Sequence, residues 1–108
     1  MNRNVRSVKA IPTSHGVGSK RILITEKECL SNLTQVAYGY LKKNEVIELH
    51  IHPTMEEFYF LQSGTIEFKI DGTDLTCNSG DFIMVPANCG HMMKALTDTD
   101  FIYWGVSC

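Results

Sequence analysis

From about residue 21 onward the chain is written almost entirely in short apolar or alternating runs separated by residues that reverse the backbone. The runs are RILIT, TQVAYGYL, VIELHIH, EFYFLQ, TIEFKI, DLTC, DFIMVP, HMMKAL and DFIYWGV, about nine predicted strands. Between them stand Lys42-Lys43-Asn44, Ser63-Gly64, Asp71-Gly72, Asn78-Ser79-Gly80, Pro86 to Gly90 and Thr97 to Asp100. Each of these segments favours a turn, and Asp71-Gly72 is the strongest hairpin signal. No segment sustains a period of 3.6 residues. Only TEKECLSN offers a turn of helix, with Thr25 as cap and Glu28 answering three residues later. Many short strands with little or no helix predict an all-β fold, an antiparallel sandwich or small barrel.

At 108 residues the chain is expected to form one domain, 1–108, with the barrel core over about 21–107 and residues 1–20 as an extended arm. Ten basic residues against twelve acidic ones, with no basic run interleaved with aromatics, leave nucleic acid and anionic membranes without an electrostatic footing. No apolar stretch approaches the roughly 20 residues that span a bilayer, and MNRNVRSVKAIPTSHGVG lacks the apolar block of a secretory signal. A cytoplasmic protein is expected. Cys29, Cys77, Cys89 and Cys108 form no Cys-x-x-Cys pair and are expected to be reduced and mostly buried. Cys89 stands apart because it lies two residues before His91.

Four residues carry metal chemistry: His50, His52 and Glu57 in LHIHPTMEEFYFLQSG, and His91 in GDFIMVPANCGH. Imidazole nitrogens with one carboxylate oxygen suit a divalent first-row metal such as zinc, iron, manganese or nickel. On a strand, His50 and His52 project to one side about 6.6 Å apart, near enough to close on one ion. Glu57 follows the turn Pro53-Thr54-Met55, so a hairpin is expected to fold it back beside the histidines, with Glu56 pointing away. His91 begins a strand after the Pro86-to-Gly90 turn and would complete the set from a distant part of the fold. One His or Glu alone is ordinarily structural or solvated; the spacing of all four makes them one unit. His15, isolated in a loop, receives no role.

These residues fall in register with the cupin superfamily, which the chain resembles over about residues 33–106. The first cupin motif runs Gly, five residues, His-x-His, three or four residues, Glu, six residues, Gly; Asn44, His50-Ile51-His52, Glu57 and Gly64 follow it. The second runs Gly, five residues, Pro-x-Gly, two residues, His, three residues, Asn; Gly80, Pro86 and His91 follow it. Asn44 and Asn88 stand where the motifs have glycine, and Asn is the residue that best substitutes for it at positive φ. Ala95 replaces the final Asn, which is not a ligand in the family. The resemblance implies a double-stranded β-helix (jelly roll) with a divalent metal in its pocket, and a homodimer made by adding a strand across the sheet edge, for which RILIT is the candidate.

By strand alternation Val46 and Glu48 should share the face of His50 and His52, with Ile47, Leu49 and Ile51 behind. Tyr59 and Leu61 should follow Glu57, and Met93 and Ala95 should follow His91. Tyr38, Tyr40, Phe82, Met84 and Tyr103 are further pocket candidates, and Trp104 is expected in the core or an interface. Glu48 and Tyr59 are the candidate acid and base. Two functions fit: a metal-dependent binding module for a small polar metabolite, sugar-like or a carboxylate or diketone, and a metal-dependent enzyme, a dioxygenase, isomerase or lyase.

Overall fold

The computed structural model describes residues 1–108. Its strands are β1 (Ile11–Pro12), β2 (Ser19–Thr25), β3 (Leu33–Leu41), β4 (Val46–His50), β5 (Met55–Ser63), β6 (Thr65–Ile70), β7 (Thr73–Asn78), β8 (Phe82–Val85), β9 (His91–Ala95) and β10 (Thr99–Ser107). Two single-turn 3-10 segments, Val5–Ser7 and Glu26–Glu28, are the only helical elements. Strands β2 to β10 coincide with the nine predicted runs. The addition is β1, two residues of the arm laddered to Ser19 and Lys20.

All pairing is antiparallel, in a six-stranded sheet ordered β1-β2-β3-β10-β5-β8 and a four-stranded sheet ordered β4-β9-β6-β7. Leu41, Leu61 and Phe101 of the first meet Ile66, Phe68 and Met93 of the second in one core cluster. The result is a jelly-roll sandwich, and no ladder closes it into the expected barrel. The predicted β4–β5 hairpin does not form. These consecutive strands belong to different sheets, so the chain from His50 to Met55 crosses between layers instead of pairing back. Pro53, which has no N–H to donate to a ladder, stands in that crossing.

The turns obey their side chains. Asp71 (φ 49°) and Gly72 (φ 79°) are both left-handed, the requirement of a two-residue type I′ turn, and Ile70 pairs Thr73 across it. Asn44 (φ 73°) and Asn88 (φ 61°) occupy positive φ in place of the motif glycines.

The predicted cap also forms. The Thr25 N–H donates to the Glu28 carboxylate at 3.0 Å, and Glu28 is paired with Arg3, which donates to the Leu23 carbonyl at 2.7 Å. This ties the arm to β2. The hydrogen bond from Arg3, reinforced by that from Thr25, holds the Glu28 carboxyl down from 4.5 to about 2. A carboxyl lowered on folding contributes stability above its unfolded value and loses it as pH falls through the folded one. The Thr25 amide resonance should therefore titrate with a midpoint near 2, not 4.5. Because the pair is exposed, added salt should raise that midpoint.

Strand β8, Phe-Ile-Met-Val, is apolar at every position, so alternation alone does not select its inner face. The ladder to β5 selects it by pairing Ile83 with Tyr59 and Phe82 with Phe60. Ile83 and Val85 are buried, whereas Phe82 is 57% and Met84 43% exposed on the outside, contrary to their expected place in the pocket. There Phe58 stacks on Trp104 with centroids 5.6 Å apart and on Phe82 at 6.1 Å. Tyr38 is likewise absent from the pocket: its hydroxyl donates to Asp100. In β3 the inward positions are Ala37, Gly39 and Leu41, all buried, so the tyrosines between them take the other parity.

Candidate metal centre

His50, His52, Glu57 and His91 converge, with one ligand atom from each lying within 4.8 Å of all the others. Each arrives by a different local device. His50 ends β4 and His91 begins β9, and the two are directly paired, with ring centroids 4.1 Å apart. His52 lies just beyond β4 in the crossing segment, where its carbonyl accepts the Asn88 N–H at 2.8 Å, so the turn preceding His91 also anchors His52. Glu57 comes from β5 in the opposite sheet. Its Oε1 lies 3.2 Å from His91 Nε2 and 3.3 Å from His52 Nε2. The carboxylate therefore meets the histidines across the sandwich, not along a hairpin.

The hydrogen bonds around the cluster select the histidine tautomers. His50 Nδ1 lies 2.8 Å from the Glu48 carbonyl oxygen, and His91 Nδ1 lies 3.0 Å from that of Cys89. A carbonyl oxygen only accepts, so both Nδ1 atoms carry the proton and each Nε2 is left facing the cluster. That is the arrangement in which backbone carbonyls orient metal-bound imidazoles. Three such nitrogens and one carboxylate oxygen suit a borderline divalent cation and leave about two positions open on a six-coordinate ion.

The electrostatics agree. Burial by itself would push the Glu57 carboxyl up, but the His91 hydrogen bond, the His52 charge and the Tyr59 hydroxyl together hold it below its ordinary value. Burial would lower His91, yet Glu57 and the Cys89 carbonyl outweigh it and raise the imidazole. His91, 1% exposed, thus faces a buried carboxylate 3.2 Å from its Nε2. His50 lacks a facing carboxylate, and burial shifts it down.

The cluster opens into a cavity of about 340 Å³, a volume that holds a small metabolite. Tyr59, Met93 and Tyr103 line it as expected, and Tyr40 borders it. Tyr59 donates its hydroxyl to Glu57 Oε1 at 3.0 Å, and burial followed by the Glu57 charge drives its pKa well above 10. It is a protonated donor that orients the carboxylate. Tyr103, stacked 5.6 Å from Tyr59, is pushed up to about 12 by burial first and Glu57 second. Gly105, level with Glu57 in the ladder, keeps the floor open: a Cβ there would lie 2.4 Å from Met55 Sδ and from Thr34 Oγ1.

Glu48 departs from its expected place. Ile47 pairs Met93 while His50 pairs His91, so three steps on β4 oppose two on β9. This bulge reverses the parity. Ile47 turns inward onto the cavity, Glu48 and Leu49 turn out to solvent, and Glu48 serves the site through its carbonyl instead of its carboxylate. Ile51, expected to pack, is 52% exposed. Cys89 likewise contributes its carbonyl, and its thiol is not among the clustered ligand atoms. Of the four cysteines only Cys77 is buried, fewer than expected, and none is paired.

His15 had no role in the sequence reading, yet it lies against the cluster with its ring centroid 4.3 Å from that of His50. Thr13 and Ser14 line the cavity with it, so the arm forms part of the pocket wall.

A family model described as a cupin domain matches residues 38–106, which include all four clustered residues. The chain belongs to the cupin family. This cupin is 28% identical over 106 residues to an oxalate decarboxylase of Arthroderma benhamiae and 26% identical over 101 residues to polyketide synthase CurC of Streptomyces cyaneus. Each match takes in 93% of the present chain, but the chain spans only 25% of the first relative and 66% of the second. Among solved structures, that of a predicted oxalate decarboxylase from Thermotoga maritima superposes with a TM-score of 0.90. The alignment covers all of both chains at 18% identity, a likeness of fold.

Proposed function

We propose that this cupin, acting as one domain over residues 1–108, holds one divalent first-row metal on His50, His52, Glu57 and His91 and binds a small polar metabolite in the adjoining cavity. The observation that carries this reading is the pair of Nδ1-to-carbonyl hydrogen bonds at His50 and His91, which leave both Nε2 atoms free for the cluster, that of His91 lying 3.2 Å from Glu57. When bound, the metal would act as a Lewis acid toward a chelating ligand. The protein's own contribution is to fix the imidazoles, orient Glu57 through Tyr59 and bound the cavity with Ile47, Met93 and Tyr103. A cytoplasmic setting accords with four unpaired cysteines.

A second reading, a metal-dependent enzyme, is favoured by the names of the relatives, a decarboxylase and a polyketide synthase. In that case Tyr103 is a better candidate than Glu48 to move a proton at the ligand, since Tyr103 faces the cavity and Glu48 does not. The native metal decides between the two. Zinc with ligand-induced stabilisation and no turnover supports the binding module. A redox-active metal, with oxygen consumption on diketones, thiols or phenols lost in His52→Ala, supports the enzyme.

We further propose a homodimer. RILIT retains an open ladder edge, since β1 covers only Ser19 and Lys20 of β2. The larger apolar surface is the outer face of the six-stranded sheet, where Phe60, Phe82 and Met84 are 38%, 57% and 43% exposed beside Trp104. Light scattering after size exclusion should return a dimer mass, and Phe82→Glu should shift it to the monomer. A monomeric wild type contradicts the assignment.

A further inference from the structure

Beyond its clustered ligands, the cavity wall is asymmetric in charge. Lys20 is the only lysine or arginine lining it, and Glu26 is the only other charged side chain besides Glu57. Lys20 pairs Gly39 across the β2–β3 ladder. Gly39 is on the buried, inward parity of β3, and residues paired across a ladder share a face, so Lys20 is directed inward. A Cβ at position 39 would lie 2.6 Å from the Phe101 ring, so glycine alone lets Phe101 pack against β3 at that level. Glu26 follows Thr25, which pairs Gln35, four residues along β3 from Gly39. That separation, on the order of 13 Å, places the two charges at opposite ends.

Lys20 has no ion-pair partner: the salt bridges join Arg3 to Glu28, Lys69 to Asp74, and Glu57 to His52 and His91. His15 lies against His50, ring centroids 4.3 Å apart, and lines the cavity together with Lys20; Glu57, level with Gly105 and Gln35 in the ladder, is four residues along β3 from the Lys20–Gly39 pair, so Lys20 stands away from the cluster. Ser14 and Ser19 add hydroxyls to the same wall. A partnerless ammonium among neutral hydrogen-bond donors on a concave wall is complementary to an oxyanion.

We infer that Lys20, with His15 and Ser14 of the arm, recognises a carboxylate borne by the ligand at a distance from the oxygens that chelate the metal. The ligand class is accordingly a small metabolite carrying a chelating oxygen pair and a second, separate carboxylate. This rests on the metal-site reading for the chelating half only.

The test compares 2-oxo acids that differ solely in the distal group, titrated by calorimetry into zinc-supplemented protein: 2-oxoglutarate against 2-oxopentanoate, and 2-oxoadipate against 2-oxohexanoate. At least one diacid is expected to bind about tenfold to hundredfold more tightly than its monoacid, the range of a charge-assisted hydrogen bond. Lys20→Met should abolish that preference and leave monoacid affinity within about twofold, while His15→Ala should weaken it partially. Equal binding of diacids and monoacids by the wild type, or a preference that survives Lys20→Met, overturns the proposal. Elemental analysis of the same samples separates the two readings. Metal-loaded protein without the preference rejects the carboxylate site, whereas metal-free protein that retains a Lys20-dependent preference upholds it and counts against the metal centre.

Discussion

At a free metal concentration a hundredfold above its dissociation constant, the wild-type protein is expected to gain about 2.7 kcal/mol of stability, while His91→Ala gains essentially none. For a domain of this size that corresponds to a rise of roughly 10 °C in the thermal midpoint, present in the wild type and absent in the variant. The difference follows from where His91 sits. It is 1% exposed, its Nδ1 is tied to the Cys89 carbonyl, and its Nε2 is within 3.2 Å of Glu57. Removing it takes away one of four donors and leaves the Glu57 carboxylate buried without one of its two imidazole partners. A metal-free His91→Ala protein should therefore also melt below the metal-free wild type. Glu57→Gln separates these effects, because it removes the buried charge and the anionic ligand together: its metal response should disappear with less loss in the metal-free state. Equal metal-induced shifts in all three proteins would contradict the assignment of these residues.

Phe68→Ala should destabilise the metal-free protein by about 3 to 5 kcal/mol, measured by urea denaturation, against a total stability of about 5 to 15 kcal/mol for a typical domain. Phe68 is fully buried on β6 of the four-stranded sheet and meets Tyr59 of the six-stranded sheet edge to face, centroids 5.2 Å apart. Truncation opens a cavity at the contact between the layers. Because Tyr59 also donates to Glu57, the effect should reach the metal centre as a weaker affinity, although Phe68 is not among the residues lining the cavity. A loss below about 1 kcal/mol would mean that the layers do not pack through this contact.

The features legible in the sequence were those written locally. Turn chemistry placed all nine principal strands, because Asp71-Gly72, Asn44 and Asn88 accept positive φ and they occupy it. The ligand set was legible because His50, His52, Glu57 and His91 keep a motif spacing, and the fold brings those four together. Four kinds of feature were not legible. Whether β4 and β5 pair or cross between sheets depends on partners far along the chain, and Pro53-Thr54-Met55 reads the same in either case. Strand alternation assigned Glu48 to the pocket, but one extra residue on β4 flips the parity, and a bulge leaves no mark in the apolar pattern. Where both faces of a strand are apolar, as in Phe82-Ile83-Met84-Val85, alternation has no preference to express, and only the ladder to β5 settles which side is inside. His15 reaches His50 from the arm, and nothing within its own neighbourhood announces a contact formed only by tertiary folding.

The most direct test of the metal centre is the metal-to-chain stoichiometry of purified, metal-reconstituted protein, measured by elemental analysis after exhaustive dialysis. One equivalent of a divalent first-row metal in the wild type, and a negligible amount in the His50→Ala, His52→Ala double variant, is the result predicted. Full metal content in the double variant, or none in the wild type, would contradict it.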